Sequence, residues 1–322
     1  MYARIAGTGR YLPEKILTNQ DIEKLVDTTD EWIRSRTGIH QRHVAAAHET
    51  TSSMSVEAAK RAMEMAGVGP GDIDFIAVGT TTPDLLFPNV ATLMQRALDI
   101  HDCPAFSVET ACSGFVYALS ISEKFIRLGE AKCALVIGAE CITRITDWND
   151  RATCVLFGDG AGAVVLKPAT EPGIVTTILS ADGQHRDLLY YPYGVSYGFD
   201  KLRNNQPAGI TMKGNEVFKV AVNTLSRLVD QTLAKAGVDK SEIDWLVPHQ
   251  ANLRIIRAAA RKLGLPMARV VVTVQDHGNT SAASIPLALD VAVRDGRIQR
   301  GQLLLLETFG GGFTWGSALV RF

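Results

Sequence analysis

Residues 66–76 read AGVGPGDIDFI, and 170 residues further on, residues 236–246 read AGVDKSEIDWL. In both stretches a helical pattern closes at a glycine, Gly67 or Gly237, the residue best suited to the left-handed end of a helix. A polar loop follows, and Ile-Asp then leads into a short apolar strand. The same offset returns where CALVIGAE (Cys133 to Glu140) stands opposite LLLLETFG (Leu303 to Gly310), each a buried-strand run after a polar turn. Two matches at one spacing indicate internal duplication. Between them each half carries a helical pattern, Gly114 to Leu128 in the first and Ser284 to Arg294 in the second. Alternating strands and helices predict an α/β fold of mainly parallel, helix-covered sheets, built as two similar halves around a shared interior. The boundary falls at Lys167-Pro-Ala-Thr-Glu-Pro-Gly173, dividing the chain into residues 1–170 and 171–322.

Composition agrees with that size of core. A chain of 322 residues with 46% hydrophobic and 21% charged residues is globular, neither disordered nor membrane-spanning. Its net charge of −1 supplies no field for nucleic acid, which is therefore not an expected partner; any basic site must be a local patch. Met1-Tyr-Ala-Arg-Ile-Ala lacks the apolar core of a signal peptide, so the cytoplasm is the expected location and no membrane association is expected. The five cysteines (Cys103, Cys112, Cys133, Cys141 and Cys154) form an odd set without a Cys-x-x-Cys pair, which argues for free thiols rather than disulfides or a zinc knuckle. His40, His43 and His48 read as surface histidines, not metal ligands.

The duplication has a consequence for chemistry. Cys112 plus the offset lands on Ala282, three residues past Asn279 in HGNTSAAS. Pseudo-symmetry brings these two loops together, and ligands of α/β sheets bind where loops converge beyond the carboxyl ends of strands. One central site made from both halves is expected. Cys112 lies in Thr110-Ala-Cys-Ser-Gly114, after the strand pattern Ala105 to Val108 and just before a helix. There the thiol meets unpaired backbone N–H groups and the positive end of the helix dipole, which favour the thiolate. A buried cysteine is ordinarily a small hydrophobe, but the small neighbours Ala111, Ser113 and Gly114 leave room for a substrate.

His249 follows the strand Trp245 to Val247, at the point where Pro248 stops the ladder and a new helix opens. Loops of this kind present functional side chains. Asn279 reads equally as a turn residue. The three glycines Gly310 to Gly312 allow backbone to approach a ligand, and their N–H groups suit an oxyanion hole. Phe157-Gly-Asp-Gly-Ala-Gly162 precedes a strand where a nucleotide fingerprint follows one, so it reads as a structural turn.

Together TACSG, PHQAN, HGNTSAAS and ETFGGGFTWG resemble the synthase III branch of the thiolase superfamily, and the likeness runs from Met1 to Phe322. The resemblance implies the thiolase-like layering αβαβα and a decarboxylating condensation of an acyl-coenzyme A with a malonyl-carrier protein. It implies Cys112, His249 and Asn279 as the catalytic triad, the asparagine separating this branch from elongating synthases, which carry a second histidine, and from thiolases, which carry a second cysteine. The oxyanion would rest on the N–H groups of Cys112 and Gly311. By the same resemblance Trp32 and Arg151 sandwich the adenine of coenzyme A, with Thr28 and Arg36 nearby; Asn215, Phe218, Ala251 and Asn252 line the pantetheine tunnel. Lys219, Gln250, Arg254, Arg257, Arg261 and Lys262 correspond to the surface that docks acyl-carrier protein, although a charged helix such as LRIIRAAARKLG is by itself an ordinary solvated face. Phe87 corresponds to a residue inserted across a twofold interface into the partner's acyl pocket, so a homodimer is expected. Neither metal nor redox cofactor is implied.

Overall fold

The computed structural model describes residues 1–197 and 209–322. A first sheet holds β1 (Tyr2–Tyr11), β2 (Phe75–Gly79), β3 (Ala105–Val108), β4 (Ala134–Glu140) and β5 (Gly160–Ala169), in the order β1-β5-β4-β2-β3. A second holds β6 (Ile174–Ala181), β7 (Trp245–Pro248), β8 (Leu303–Gly310) and β9 (Thr314–Arg321), in the order β7-β8-β9-β6. The principal helices are α1 (Asp30–Thr37), α2 (Thr51–Ala66), α3 (Val90–Leu98), α4 (Gly114–Leu128), α5 (Gly214–Ala236), α6 (Leu253–Leu263) and α7 (Ser284–Arg294).

The sheets are mixed rather than mainly parallel, which corrects the sequence expectation. Only β2–β3, β2–β4 and β7–β8 run parallel; β1–β5, β4–β5, β8–β9 and β9–β6 are antiparallel. The cause is local in the second half, where β8 and β9 are joined only by Gly311, Gly312 and Phe313. A connection that short reverses the chain, whereas a parallel neighbour needs a crossover of a dozen residues or more.

Helices α4 and α7 lie between the sheets. Phe115, Val116 and Leu119 of α4 and Ile285, Ala288 and Leu289 of α7 share one buried cluster with Val136 and Val164 of the first sheet and Leu304 and Leu306 of the second. Outer helices cover the remaining faces: α2 and α3 on the first sheet, α5 and α6 on the second. Five layers result, αβαβα. Each large side chain buried in this interior contributes roughly 1.5–3 kcal/mol. The inner layer fits tightly, because a Cβ on Gly79 of β2 would stand 2.2 Å from the Gly114 carbonyl carbon at the start of α4.

The two quoted stretches fold alike. Gly67 closes α2 at φ 61° and Gly237 closes α5 at φ 65°. Short helical turns at Pro70–Asp72 and Lys240–Glu242 then lead into β2 and β7. His43 departs from its surface reading: it is half-buried, with Nδ1 2.6 Å from the Pro13 carbonyl oxygen. Among the described residues no helix is long and apolar enough to cross a membrane.

Candidate active site

Two turns of the same shape meet at the centre of the molecule. Ala111–Ser113 precedes α4 and Ser281–Ala283 precedes α7, and each turn contains a non-glycine residue in left-handed conformation, Ala111 at φ 47° and Ser281 at φ 48°. Such backbone is uncommon outside glycine and marks a functional constraint. The first turn carries Cys112 and is fastened by the opposite half. Thr308 Oγ donates to the Cys112 carbonyl at 2.9 Å, Thr314 Oγ donates to the Thr110 carbonyl at 2.9 Å, and Ser113 Oγ donates to the Thr314 carbonyl at 3.0 Å. Gly310 is required beneath it, since a Cβ there would sit 2.7 Å from the Cys112 amide nitrogen.

Cys112 is half-buried on the wall of a cavity of about 1060 Å³ that both halves line. Burial pushes its thiol up to about 11, helped by the Glu140 charge and opposed by a hydrogen bond with Ser281. The thiolate expected from the helix dipole is therefore not the resting state; desolvation outweighs the dipole.

His249 opens onto the same cavity at the end of β7, where its backbone N–H donates to the Glu307 carbonyl at 2.8 Å. Burial holds the imidazole down at about 3, so it is neutral at physiological pH, and its buried Nδ1 has no hydrogen-bond partner among the described residues. Asn279 lines the cavity too, fixed by its backbone: its N–H donates to the Leu156 carbonyl at 2.8 Å and its carbonyl accepts from Gly158 at 3.1 Å. The Phe157–Gly162 segment is thus the brace for Asn279. The Asn279 Oδ1 accepts from the Ser281 amide at 3.0 Å, which commits the oxygen and leaves Nδ2 as the outward donor.

Two acids at this site escaped the sequence reading. Glu307, the fifth residue of β8, lines the cavity with both carboxyl oxygens buried and without a hydrogen-bond partner among the described residues, and burial pushes it up to about 8. It is a neutral acid at pH 7. Glu140, the last residue of β4, lies fully buried beside the Cys112 turn. The only visible signal was an acid ending or interrupting an otherwise apolar strand.

Patterns described as 3-oxoacyl-[acyl-carrier-protein (ACP)] synthase III match residues 106–183, and those of its C-terminal part match residues 233–322. A beta-ketoacyl-[acyl-carrier-protein] synthase III of Thioalkalivibrio sulfidiphilus is 64% identical over 321 residues, covering 100% of this chain and 99% of that protein. The chain belongs to the synthase III family. Among solved structures, the 3-oxoacyl-[acyl-carrier-protein] synthase III of Aquifex aeolicus superposes with a TM-score of 0.93 at 46% identity, covering 99% of this chain and 100% of that one. The priming beta-ketosynthase of the R1128 polyketide pathway gives 0.94 at 36% identity, covering 99% and 96%. A synthase III is an acyl-transferring condensing enzyme, and the thiolase-like layering expected from sequence is the one observed.

The outer contacts that this family suggests fall in several places. Trp32, Arg36, Asn215, Phe218, Ala251 and Asn252 line the cavity. Asn252 also caps α6, its Oδ1 accepting from Arg254, while its Nδ2 donates to the Arg36 carbonyl. Arg151 stacks directly on Trp32, Cζ 4.9 Å from the ring centre, and donates to the Asp27 carbonyl. No aromatic base fits between them until Arg151 moves. The Thr28 hydroxyl is buried without a hydrogen-bond partner among the described residues. Arg254, Arg257 and Arg261 are exposed along α6, with Lys219 exposed nearby on α5; Arg254 stacks over Phe218 at 4.9 Å, and Lys262 pairs with Asp230 at 2.6 Å.

Gln250 requires a correction. It is buried, its Nε2 donates to the Pro248 and Val271 carbonyls, and its Oε1 accepts from the Thr273 and Val274 amides. With all its polar capacity spent inside the protein it is a structural tie, not a docking residue. Phe87 is 80% exposed in the single chain, beside the exposed Leu85 and Leu86.

Proposed function

We propose that the chain condenses an acyl-coenzyme A starter with malonyl-acyl-carrier protein, releasing coenzyme A and carbon dioxide and initiating type II fatty-acid synthesis. The observation that carries this reading is the convergence of Cys112, His249 and Asn279 on one cavity. Cys112 attacks the acyl thioester, forming an acyl-enzyme as coenzyme A departs. Malonyl-carrier protein then enters. The neutral His249 and the Asn279 Nδ2 donate hydrogen bonds to the malonyl thioester oxygen, stabilising the enolate that forms as carbon dioxide leaves. The enolate carbon attacks the acyl-Cys112 carbonyl, and the resulting oxyanion is held by the Cys112 and Gly311 amides. Two substrates and these side chains suffice for the reaction, without a metal or redox cofactor.

Trp32, Arg151, Thr28 and Arg36 receive the nucleotide end of coenzyme A, Arg151 swinging off the indole to admit the base. Asn215, Phe218, Ala251 and Asn252 line the arm that leads to Cys112. The face bearing Lys219, Arg254, Arg257, Arg261 and Lys262 receives the acidic carrier protein. The exposed Phe87 reaches into a second copy of the chain, making a homodimer of the cytoplasm. Residues 1–170 supply the nucleophile, and residues 171–322 supply the two donors.

Intact-protein mass after mixing with a panel of acyl-coenzyme A donors tests the scheme. One adduct on the wild type, absent in Cys112→Ser and discharged by malonyl-carrier protein with release of carbon dioxide, is expected and identifies the starter. If no donor acylates Cys112, the scheme is wrong.

A further inference from the structure

Arg42, in the short strand Gln41–His43, is the largest fully buried side chain among the described residues. It forms no ion pair among them, and its acceptors are all neutral. Nη1 donates to the Leu17 carbonyl at 3.1 Å and to Asn19 Oδ1 at 3.0 Å, and Nη2 donates to the Val155 carbonyl at 2.7 Å. Its Nε is buried without a hydrogen-bond partner among the described residues. Burial pulls the guanidinium down to about 10, which leaves it charged at pH 7. Holding an unpaired cation out of water is costly, and an apolar side chain of similar volume would fill the space without that cost. The fork accounts for the arginine: its two terminal nitrogens reach oxygens on two separate segments, which the point charge of a lysine does not span.

One of those segments leads to Asn279. The Val155 carbonyl opens Val155-Leu-Phe-Gly158, and the Leu156 carbonyl and Gly158 amide of that stretch clamp the Asn279 backbone at 2.8 Å and 3.1 Å. The stem of Arg42 supports the clamp from beneath. A Cβ added to either Gly158 or Gly278 would stand 3.0 Å from the Arg42 Cβ, so both glycines lie directly on it. Gly278, at φ 68°, is the residue before Asn279. Neighbours of Arg42 tie the same two segments a little further along: the His43 carbonyl accepts from the Asp159 amide at 2.8 Å, and the His40 amide donates to the Gln275 carbonyl at 2.8 Å. The other arm of the fork pulls against a fixed point, because the buried Asn19 donates to Asp30 Oδ1 and to the Ile39 carbonyl, both at 2.8 Å.

We propose that Arg42 is the positioning residue for Asn279: with its fork on the Val155 carbonyl and its stem under Gly158 and Gly278, it sets where the Asn279 Nδ2 donor stands during malonyl decarboxylation. The inference rests on Asn279 being that donor. Arg42 does not line the cavity and acts only through the backbone of the clamp. The nucleophile is held separately, since Thr308, Thr314 and Ser113 fasten the Cys112 turn through bonds that do not involve Arg42. Loss of the fork should therefore fall on one half-reaction and spare the other.

The test measures the two half-reactions apart. Arg42→Lys keeps the charge and loses the fork; it should lower malonyl decarboxylation about tenfold and leave the rate of Cys112 acylation, followed by intact-protein mass, at the wild-type value. A double-mutant cycle then asks whether the loss passes through Asn279. In an Asn279→Ala background Arg42→Lys should cost nothing further, because the donor it positions is gone. Additive losses, a wild-type decarboxylation rate in the folded Arg42→Lys protein, or equal losses in both half-reactions overturn the inference. Should Arg42→Lys fail to fold, Arg42→Gln goes through the same cycle; if neither folds, Arg42 is a tie of the whole fold and the inference fails. An Asn279→Ala protein with undiminished decarboxylation overturns instead the donor role in the proposed function, a result distinguishable because it involves no change at Arg42.

Discussion

The amide of Ser281 donates to Oδ1 of Asn279 at 3.0 Å, and this one bond decides which end of the carboxamide faces the substrate. Only the Nδ2 donor remains for a developing enolate oxygen. Asn279→Asp keeps the shape and removes that donor, putting a charge where negative charge must accumulate. Malonyl decarboxylation should fall about 100-fold or more, while acylation of Cys112 is retained. Single-turnover acylation measured beside carbon dioxide release separates the two half-reactions.

His249 is neutral throughout the physiological range because burial holds it at about 3. The rate of malonyl decarboxylation should therefore show no inflection near 6.5, the ordinary histidine value. His249→Ala should lower that rate by about 100-fold or more. A pH profile that bends near the ordinary histidine value would show that the imidazole titrates and that the neutral-donor role is wrong.

Glu307 makes stability depend on pH. The unfolded chain loses this proton near 4.5, whereas the folded protein keeps it up to about 8. Across that window the folded state binds more protons, so its contribution to stability is fully present below 4.5 and fades as pH rises to about 8. Glu307→Gln removes this slope. Chemical denaturation of both proteins should give midpoints that diverge with rising pH in favour of the variant; parallel midpoints would refute the buried neutral acid.

The basic face of α6 makes a kinetic prediction. Arg257→Glu and Arg261→Glu should each raise KM for malonyl-carrier protein by about tenfold, a loss of roughly 1.4 kcal/mol, and weaken its salt dependence. Acylation from acyl-coenzyme A alone should be unchanged, because neither side chain lines the cavity. Equal losses in both half-reactions would point to a folding defect instead.

Much of this was legible in the sequence because the repeat is local. Gly67 and Gly237 end helices for a backbone reason that any reader of the chain can see, and the offset carries Cys112 onto Ala282 without knowledge of a single contact. Strand direction was not legible, because apolar runs look alike whichever way they pair; only the three-residue link Gly311–Phe313 gave a hint. The docking role of Gln250 and the thiolate form of Cys112 were misread for a shared reason. Both answers depend on desolvation, and burial is set by residues remote in sequence. Glu140 and Glu307 drew no reading in the sequence, because the burial that makes them notable depends on residues remote along the chain.

The matched left-handed turns at Ala111 and Ser281 make the chain an asymmetric pair joined end to end. The first turn carries the sulfur of Cys112 at its tip. The second has the same backbone with Ala282 at the corresponding tip, and its neighbours Asn279 and Ser281 line the cavity that Cys112 lines. On the proposed scheme two turns of one shape divide the labour, one holding the starter acyl group while the other helps prepare the unit that extends it.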